Sequence, residues 1–516
     1  MSRIRKAALT AGFSYVQFGL AFVSGILMVP IILSKVGTQS YGLWLACGEL
    51  LAYSAMVDLG VLNVLPWLIA EKDGRKDRAG IRKLIGYGLA AAVVTALLYV
   101  LVALSMWGFS VGVTDLNAAD KATLFGPLLL LIAGTAILFP FRTFYAVLNG
   151  LQDVFFFGFL GIGQWALNIC LILLLLFKGY GLYALAASAV VPPMIGCALC
   201  LIRIRLVAPD LLTGWSRPTF SELSYLMKEG FGTWLGNFGW RMIAASNSAI
   251  LVAIRGPEMA VIYACTAKMG EILMQIAWQL PDSGMVGLAQ LSGEGNRERV
   301  REVVLSMLRL LLVTTGGVAC AVLLLNPGFV TLWVGADKFG GLALNALLAA
   351  IVIGHSLTHG LVVPASVLGS RLQAGLLTIV QGGLFVSAAL LLGRLFGATG
   401  VAAASLTGSL VFMVPLAALI LKRRTGLTFK QIWGAAIMPW FVRAVTLMLA
   451  AGAAGAWVAS NNLWIAGMFA PPLAALYLWS MRPLYVGLPL PLRFRPWLVK
   501  LRLLPQEESP RVVESL

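Results

Sequence analysis

Runs of mostly apolar residues, each about twenty or more long, follow one another along the chain with short polar gaps between them. A bilayer core about 30 Å thick takes about twenty helical residues to cross, and backbone polar groups in lipid must be satisfied within the segment itself. The pattern therefore predicts a polytopic all-α membrane protein. Fourteen spans are expected, near 11–34, 41–70, 84–107, 125–148, 155–177 and 182–202, then 232–254, 258–280, 303–325, 342–361, 372–392 and 401–421, with a further pair at 439–459 and 463–481. The tenth is interrupted by Gly354, Gly360 and Pro364.

Basic residues set the orientation, because loops rich in Lys and Arg translocate poorly. With the N-terminus placed inside, 27 of the 38 Lys and Arg fall in inner gaps and six in outer ones, namely Lys35, Lys121, Lys178, Arg255, Lys338 and Arg394. An added or lost helix would spoil that alternation. Both termini are accordingly expected in the cytoplasm. The formal charge of +17 is then explained by inner loops facing anionic headgroups, and no nucleic-acid partner is expected. The stretch 482–516, basic and rich in proline, is expected as a cytoplasmic tail. The first apolar run is too long for a cleavable leader and is expected as a retained helix.

The remaining composition excludes more than it suggests. Six cysteines, at 47, 170, 197, 200, 265 and 320, all lie inside expected spans, so they are expected to pack rather than to bind metal or do redox chemistry. His355 and His359 have the i, i+4 spacing of a metal pair without a visible third ligand, and hydrogen bonds between helices are expected of them. No phosphate-binding GxxxxGK[ST] motif occurs, and the longest gaps, near 207–230 and 108–124, are too short for a catalytic domain. Neither a cofactor nor an enzymatic activity is expected.

An offset of 222 residues aligns Tyr41 with Tyr263, Gly48-Glu49 with Gly270-Glu271, and the basic gap at Arg75 with that at Arg297. These matches fall at the same place in two six-helix blocks and suggest a duplication. An even number of helices per block gives both copies one orientation, so the symmetry axis is expected along the membrane normal. The expected organisation is an N-terminal lobe over 1–206, a linker over 207–230, a second lobe over 231–424, a helix pair over 425–481, and the tail.

Ionisable residues inside spans cost about 2.5 to 3.5 kcal/mol each on insertion, so they tend to face a cavity or a partner. Candidates are Glu49, Asp58, Arg142, Arg241, Lys268 and Glu271. Arg241 and Lys268 share a mid-span depth on successive helices, whereas Arg142 is nearer an inner end, where it can snorkel. Lys268 and Glu271, three apart, can neutralise each other. Glu49 and Asp58, nine apart, point to opposite faces of a straight helix. Gln164 with Asn168, and Asn237 one turn before Arg241, add polar pairs.

Three short segments carry a family resemblance: Tyr41-Gly-Leu-Trp44, Val57-Asp-Leu-Gly60 and Asn149-Gly-Leu-Gln-Asp153. They resemble the corresponding segments of Wzx-type polysaccharide flippases, of the multidrug, oligosaccharidyl-lipid and polysaccharide exporter superfamily. The resemblance implies two six-helix lobes with two extra C-terminal helices in a bacterial inner membrane. It also implies alternating access carrying undecaprenyl-diphosphate-linked oligosaccharide to the outer leaflet, with membrane lipids, a polysaccharide polymerase and chain-length machinery as partners. Cations in the central cavity of such proteins are expected to meet the diphosphate. By position these are Arg142, Arg241 and Lys268, with Asp58, Glu49 and Glu271 as candidate coupling or gating carboxylates. A multidrug exporter of the same superfamily, an unrelated fourteen-helix carrier, and a membrane-embedded glycan polymerase or ligase are the alternatives.

Overall fold

Apolar runs of this length fold as helices, since no other open structure satisfies their amides out of water. The computed structural model is almost wholly helical. It describes residues 3–486 except 114–115, 152, 217–218, 284, 286–287, 289–290, 292–296, 369–370 and 461–462. The expected tail beyond residue 486 lies outside the described residues.

The helices are α1 Arg3–Val36, α2 Thr38–Ser54, α3 Val61–Gly74, α4 Arg78–Val113, α5 Ala118–Gly150, α6 Val154–Phe177, α7 Leu182–Val207, α8 Phe220–Ala244, α9 Asn247–Arg255 and α10 Pro257–Ser283. There follow α11 Arg297–Val334, α12 Gly341–Leu368, α13 Arg371–Phe396, α14 Ala398–Thr407, α15 Val414–Thr425, α16 Phe429–Ile432, α17 Met438–Ser460 and α18 Leu463–Ser480. Among the described residues, ten helical segments are long and apolar enough to cross a membrane, or eleven if Val23–Val36 and Thr38–Asp58, bent by 119°, count as one span.

The outward faces are apolar. On α4, Val94, Leu97, Leu101 and Leu104 recur every three or four residues and are exposed, Leu97 by 66%. Such a stripe would drive aggregation in water and is what a bilayer solvates. Between helices, small residues allow close approach. A Cβ at Gly134 of α5 would run into the Val190 side chain of α7.

Two compact units result, Met1–Val261 and Ile262–Leu516. The first contains α8 and α9 and ends inside α10. Contacts along α8 and α9 explain this. Gly230 lies against the Leu59 and Gly60 carbonyls, and α9 takes the Glu49 carboxylate on its first amides.

Two expected spans are broken. Between α2 and α3 the chain makes a 3₁₀ turn over Ala55–Asp58, then passes through Leu59 at φ 48° and Gly60 at φ 79°. Asp58 Oδ1 accepts the Gly60 amide at 3.2 Å, competing with the helix for that donor. The span over 232–254 breaks at Ala245 and Ser246, between α8 and α9. In α7, Pro192 has no N–H to give to the Ser188 carbonyl, and Asn168 of α6 supplies the missing donor at 2.8 Å. Gln164 likewise donates to the Pro192 carbonyl at 3.2 Å, so this polar pair serves helix packing. A π turn over Trp433–Ile437 presents the Ala435 carbonyl to Arg309 Nε at 2.8 Å.

The backbone repeats at matching places in the two blocks. Gly37, before α2, has φ 86° and ψ 156°, and Gly256, before α10, has φ 90° and ψ 171°. Gly181, before α7, has φ 53° and ψ −128°, and Gly397, before α14, has φ 63° and ψ −137°. These conformations are accessible to glycine and strained for other residues, so their recurrence supports a duplication independently of side-chain matches.

Candidate functional site

The break between α2 and α3 opens a cavity of about 430 Å³ within the first unit. Asp58, Arg142 of α5 and Arg241 of α8 all line it, with Asn237, Trp234, Trp240 and the backbone-side residues Ala52, Ala55 and Met56. Three of the charged residues picked from the sequence thus share one wall. Asn237 and Arg241, one turn apart, present a carboxamide and a guanidinium to the same space.

Local structure holds these walls. The Met56 carbonyl, which takes the Leu59 amide in the 3₁₀ turn at 3.4 Å, also accepts from Trp234 Nε1 at 2.5 Å. Trp234 stacks between Phe231 and Phe238 at ring separations of 5.5 and 5.2 Å, and Tyr53 packs edge-on against Phe238. The Tyr53 hydroxyl donates to the Arg241 carbonyl at 3.3 Å and also bonds Ser246 at the break between α8 and α9. Tyr53 therefore fixes the helix end that carries Arg241.

The cavity is cationic. Asp58 is buried, its carboxylate already committed to the Gly60 amide. Among the described residues neither guanidinium forms an ion pair with it. Arg142 lies over the Phe139 ring, 5.5 Å from its centre, and is otherwise exposed, while Arg241 is half-buried. Guanidinium groups with open donors, in a wall that also offers a carboxamide, suit an anion with several acceptor oxygens such as a phosphate or carboxylate.

The other expected residues fall elsewhere. Glu49 Oε2 accepts the Ser248 and Ala249 amides at 2.8 and 3.2 Å, capping the N-terminus of α9. The helix break accounts for the separation: Asp58 turns into the cavity while Glu49, two turns earlier, meets α9. Lys268 and Glu271 belong to the second unit, where Lys268 is half-buried and Glu271 exposed. They form no close ion pair among the described residues. His355 bonds Ser405 of α14 at 2.9 Å and His359 bonds Asp282 of α10 at 2.8 Å, so each histidine reaches across to a different helix. The described cysteines are all free thiols, five of them buried and Cys170 exposed. Asp282 and Trp278, which join His359, were not anticipated, because nothing in the sequence shows that α10 and α12 meet there.

No protein-family profile matches the chain. No curated sequence relative matches it either. Solved structures do. An inward-facing multidrug resistance MATE family transporter of the MOP superfamily superposes with TM-score 0.67 at 14% identity, over 82% of this chain and 98% of that one. The lipid II flippase MurJ in an inward closed conformation gives 0.61 at 12% identity, over 91% and 98%. A MOP superfamily transporter from Pyrococcus furiosus, reported with a binding pocket of reversed polarity, gives 0.54 at 14% identity, over 82% and 94%. This chain has the fold of the MOP superfamily transporters.

Proposed function

We propose that this chain is a flippase that carries undecaprenyl-diphosphate-linked oligosaccharide from the inner to the outer leaflet of a bacterial cytoplasmic membrane by alternating access. The observation that carries the reading is the presence of Arg142 and Arg241, with Asn237, in one cavity where Asp58, the one lining carboxylate among the described residues, is buried. A diphosphate offers the anionic oxygens those donors want. The resemblance at Tyr41–Trp44 and Asp58 points the same way, and one solved structure of this fold is a lipid flippase. Fourteen spans with both termini inside, Lys268 as a further candidate cation, and Asp58 or Glu271 as gating carboxylates complete the proposal. Polymerase and chain-length proteins are its proposed partners.

Deleting the gene should leave lipid-linked glycan on the inner leaflet and remove the surface polymer. Arg142→Ala and Arg241→Ala should each fail to restore the polymer while accumulating in the membrane as the wild type does. Full restoration by both single variants and by the double variant refutes the anion site. A multidrug exporter is the second reading, favoured by the Asp58 carboxylate in the same cavity and by the multidrug transporter that shares the fold. Normal polymer with reduced resistance to cationic drugs decides for it.

A further inference from the structure

Trp278 and Asp282 of α10 are four residues apart and share a face, as do Ser356 and His359 of α12, three apart. Within the second unit these faces meet. His359 Nε2 lies 2.8 Å from Asp282 Oδ1, and Trp278 Nε1 donates to Ser356 Oγ at 2.9 Å. The indole of Trp278 and the imidazole of His359 lie flat on each other, centres 4.1 Å apart and planes 5° apart. A carboxylate only accepts, so with Asp282 ionised Nε2 carries the hydrogen and Nδ1 is the basic nitrogen. Nδ1 has no partner among the described residues.

A proton passed to Nδ1 from solvent hydronium releases water, leaves the hydrogen bond to Asp282 in place and turns the ring into a cation. That cation faces a counter-ion on one edge and an indole face on one side. The neutral hydrogen bond becomes charge-assisted and the ring stack becomes a cation–π contact. Both changes tighten α10 against α12, so the proton favours whichever arrangement keeps these helices together. Among the described residues the surrounding charges leave this to Asp282: Arg394 of α13 and Lys422, Arg423 and Arg424 of α15 are exposed. On α10, Glu271 and Lys268 lie eleven and fourteen residues away, about 16 and 21 Å along the helix. On α11, which packs on α12, Arg301 and Arg309 turn to the Thr425 and Ala435 carbonyls, and Glu298 and Glu302 are exposed. On α14, Ser405 is engaged by His355.

We propose that His359, with Asp282 as its counter-ion and Trp278 as its platform, is where this protein binds its coupling proton. The proposal rests on the transport reading for its purpose, but not for its chemistry. The first test uses the full chain in vesicles of phosphatidylethanolamine and phosphatidylglycerol. The probe is undecaprenyl diphosphate carrying one nitrobenzoxadiazole-labelled sugar, and its leaflet is read by dithionite quenching. An imposed pH gradient should accelerate movement several-fold in the wild type, and the ratio of rates with and without the gradient should fall to one in His359→Gln and in Asp282→Asn. Retention of the acceleration in both variants, or its loss in Asp58→Asn or Glu271→Gln alone, overturns the assignment.

The second test needs no substrate. An imidazolium stacked on an indole quenches its emission, so the difference in emission between wild type and Trp278→Phe, in detergent, isolates the response of Trp278. Acidification from about pH 8 to about pH 5 should dim that component in the wild type and leave it unchanged in His359→Gln. A component indifferent to pH in the wild type overturns the proton site whether or not the probe moves. A responsive Trp278 in a protein that moves no probe supports the proton site and removes the transport reading.

Discussion

Replacing Glu49 separates a structural carboxylate from a coupling one. The first helical hydrogen bond of α9 runs from the Ile250 amide to the Ser246 carbonyl at 3.0 Å, so the amides ahead of it need other acceptors. Two of them, on Ser248 and Ala249, donate to Glu49 Oε2, and both residues are buried, at 3% and 4% exposure, where water cannot substitute. In Glu49→Ala, two buried N–H groups lose their acceptor, at about 1 to 3 kcal/mol each. In Glu49→Gln an oxygen remains that can accept both, and the loss is chiefly that of charge at a helix N-terminus, about 1 kcal/mol or less. The two variants should differ by about 3 kcal/mol, which is roughly a hundredfold in an opening equilibrium. Hydrogen exchange followed by mass spectrometry over residues 246–255 reads that quantity. Exchange over wild type should rise roughly a thousandfold in the Ala variant and less than about tenfold in the Gln variant. Equal damage from Gln and Ala, or no damage from Ala, refutes the cap. If Gln abolishes transport while α9 stays protected, Glu49 acts in coupling.

Two further outcomes follow from the fold and the proposed topology. In a background lacking all six cysteines, Lys178→Cys, in the turn between α6 and α7, should react with an impermeant thiol reagent added outside whole cells, and Thr213→Cys, in the gap after α7, should react only after permeabilisation; the reverse pattern overturns the orientation. Gly60→Ala should lower the thermal midpoint in detergent more than Gly230→Ala does: both meet the opposing backbone at 2.7 to 2.8 Å, but Gly60 also holds φ 79°, which costs a residue with a Cβ about 1 to 2 kcal/mol more; equal midpoints would show that the turn relaxes freely.

Helix positions could be read from the chain because lipid leaves the backbone one local solution, and twenty apolar residues are visible without knowing any neighbour. The breaks could not. Asp58, Leu59 and Gly60 lie inside an apolar run, and only the Asp58 to Gly60 hydrogen bond and two left-handed residues show that the span ends there. That break decides the site, since it sends Asp58 into the cavity and leaves Glu49 to α9. The motif residues that carried the family resemblance do structural work. Gly42 abuts the Pro257 backbone, Gly150 fits against Ile69 and the Pro66 carbonyl, and Asp153 caps α6 while pairing with Arg203 at 2.9 Å.

Residues recognisable from sequence are thus those with a local duty, a tight approach or a cap, that fixes their type whatever the substrate. Chemistry made between distant segments leaves no such trace. Asp282 sits at the end of a helix and His359 in the middle of another, 77 positions later, and each alone has an ordinary explanation as a solvated end residue or a satisfied polar side chain. Their pairing becomes visible only when α10 and α12 are laid together, and with it a proton site in the second unit distinct from the cationic cavity in the first. The Arg142 and Arg241 cavity and the His359 site then lie in different units, so each can be removed by substitution without touching the residues of the other. Substitutions at Arg142 or Arg241 should abolish movement with or without a gradient, whereas those at His359 or Asp282 should abolish the response to the gradient.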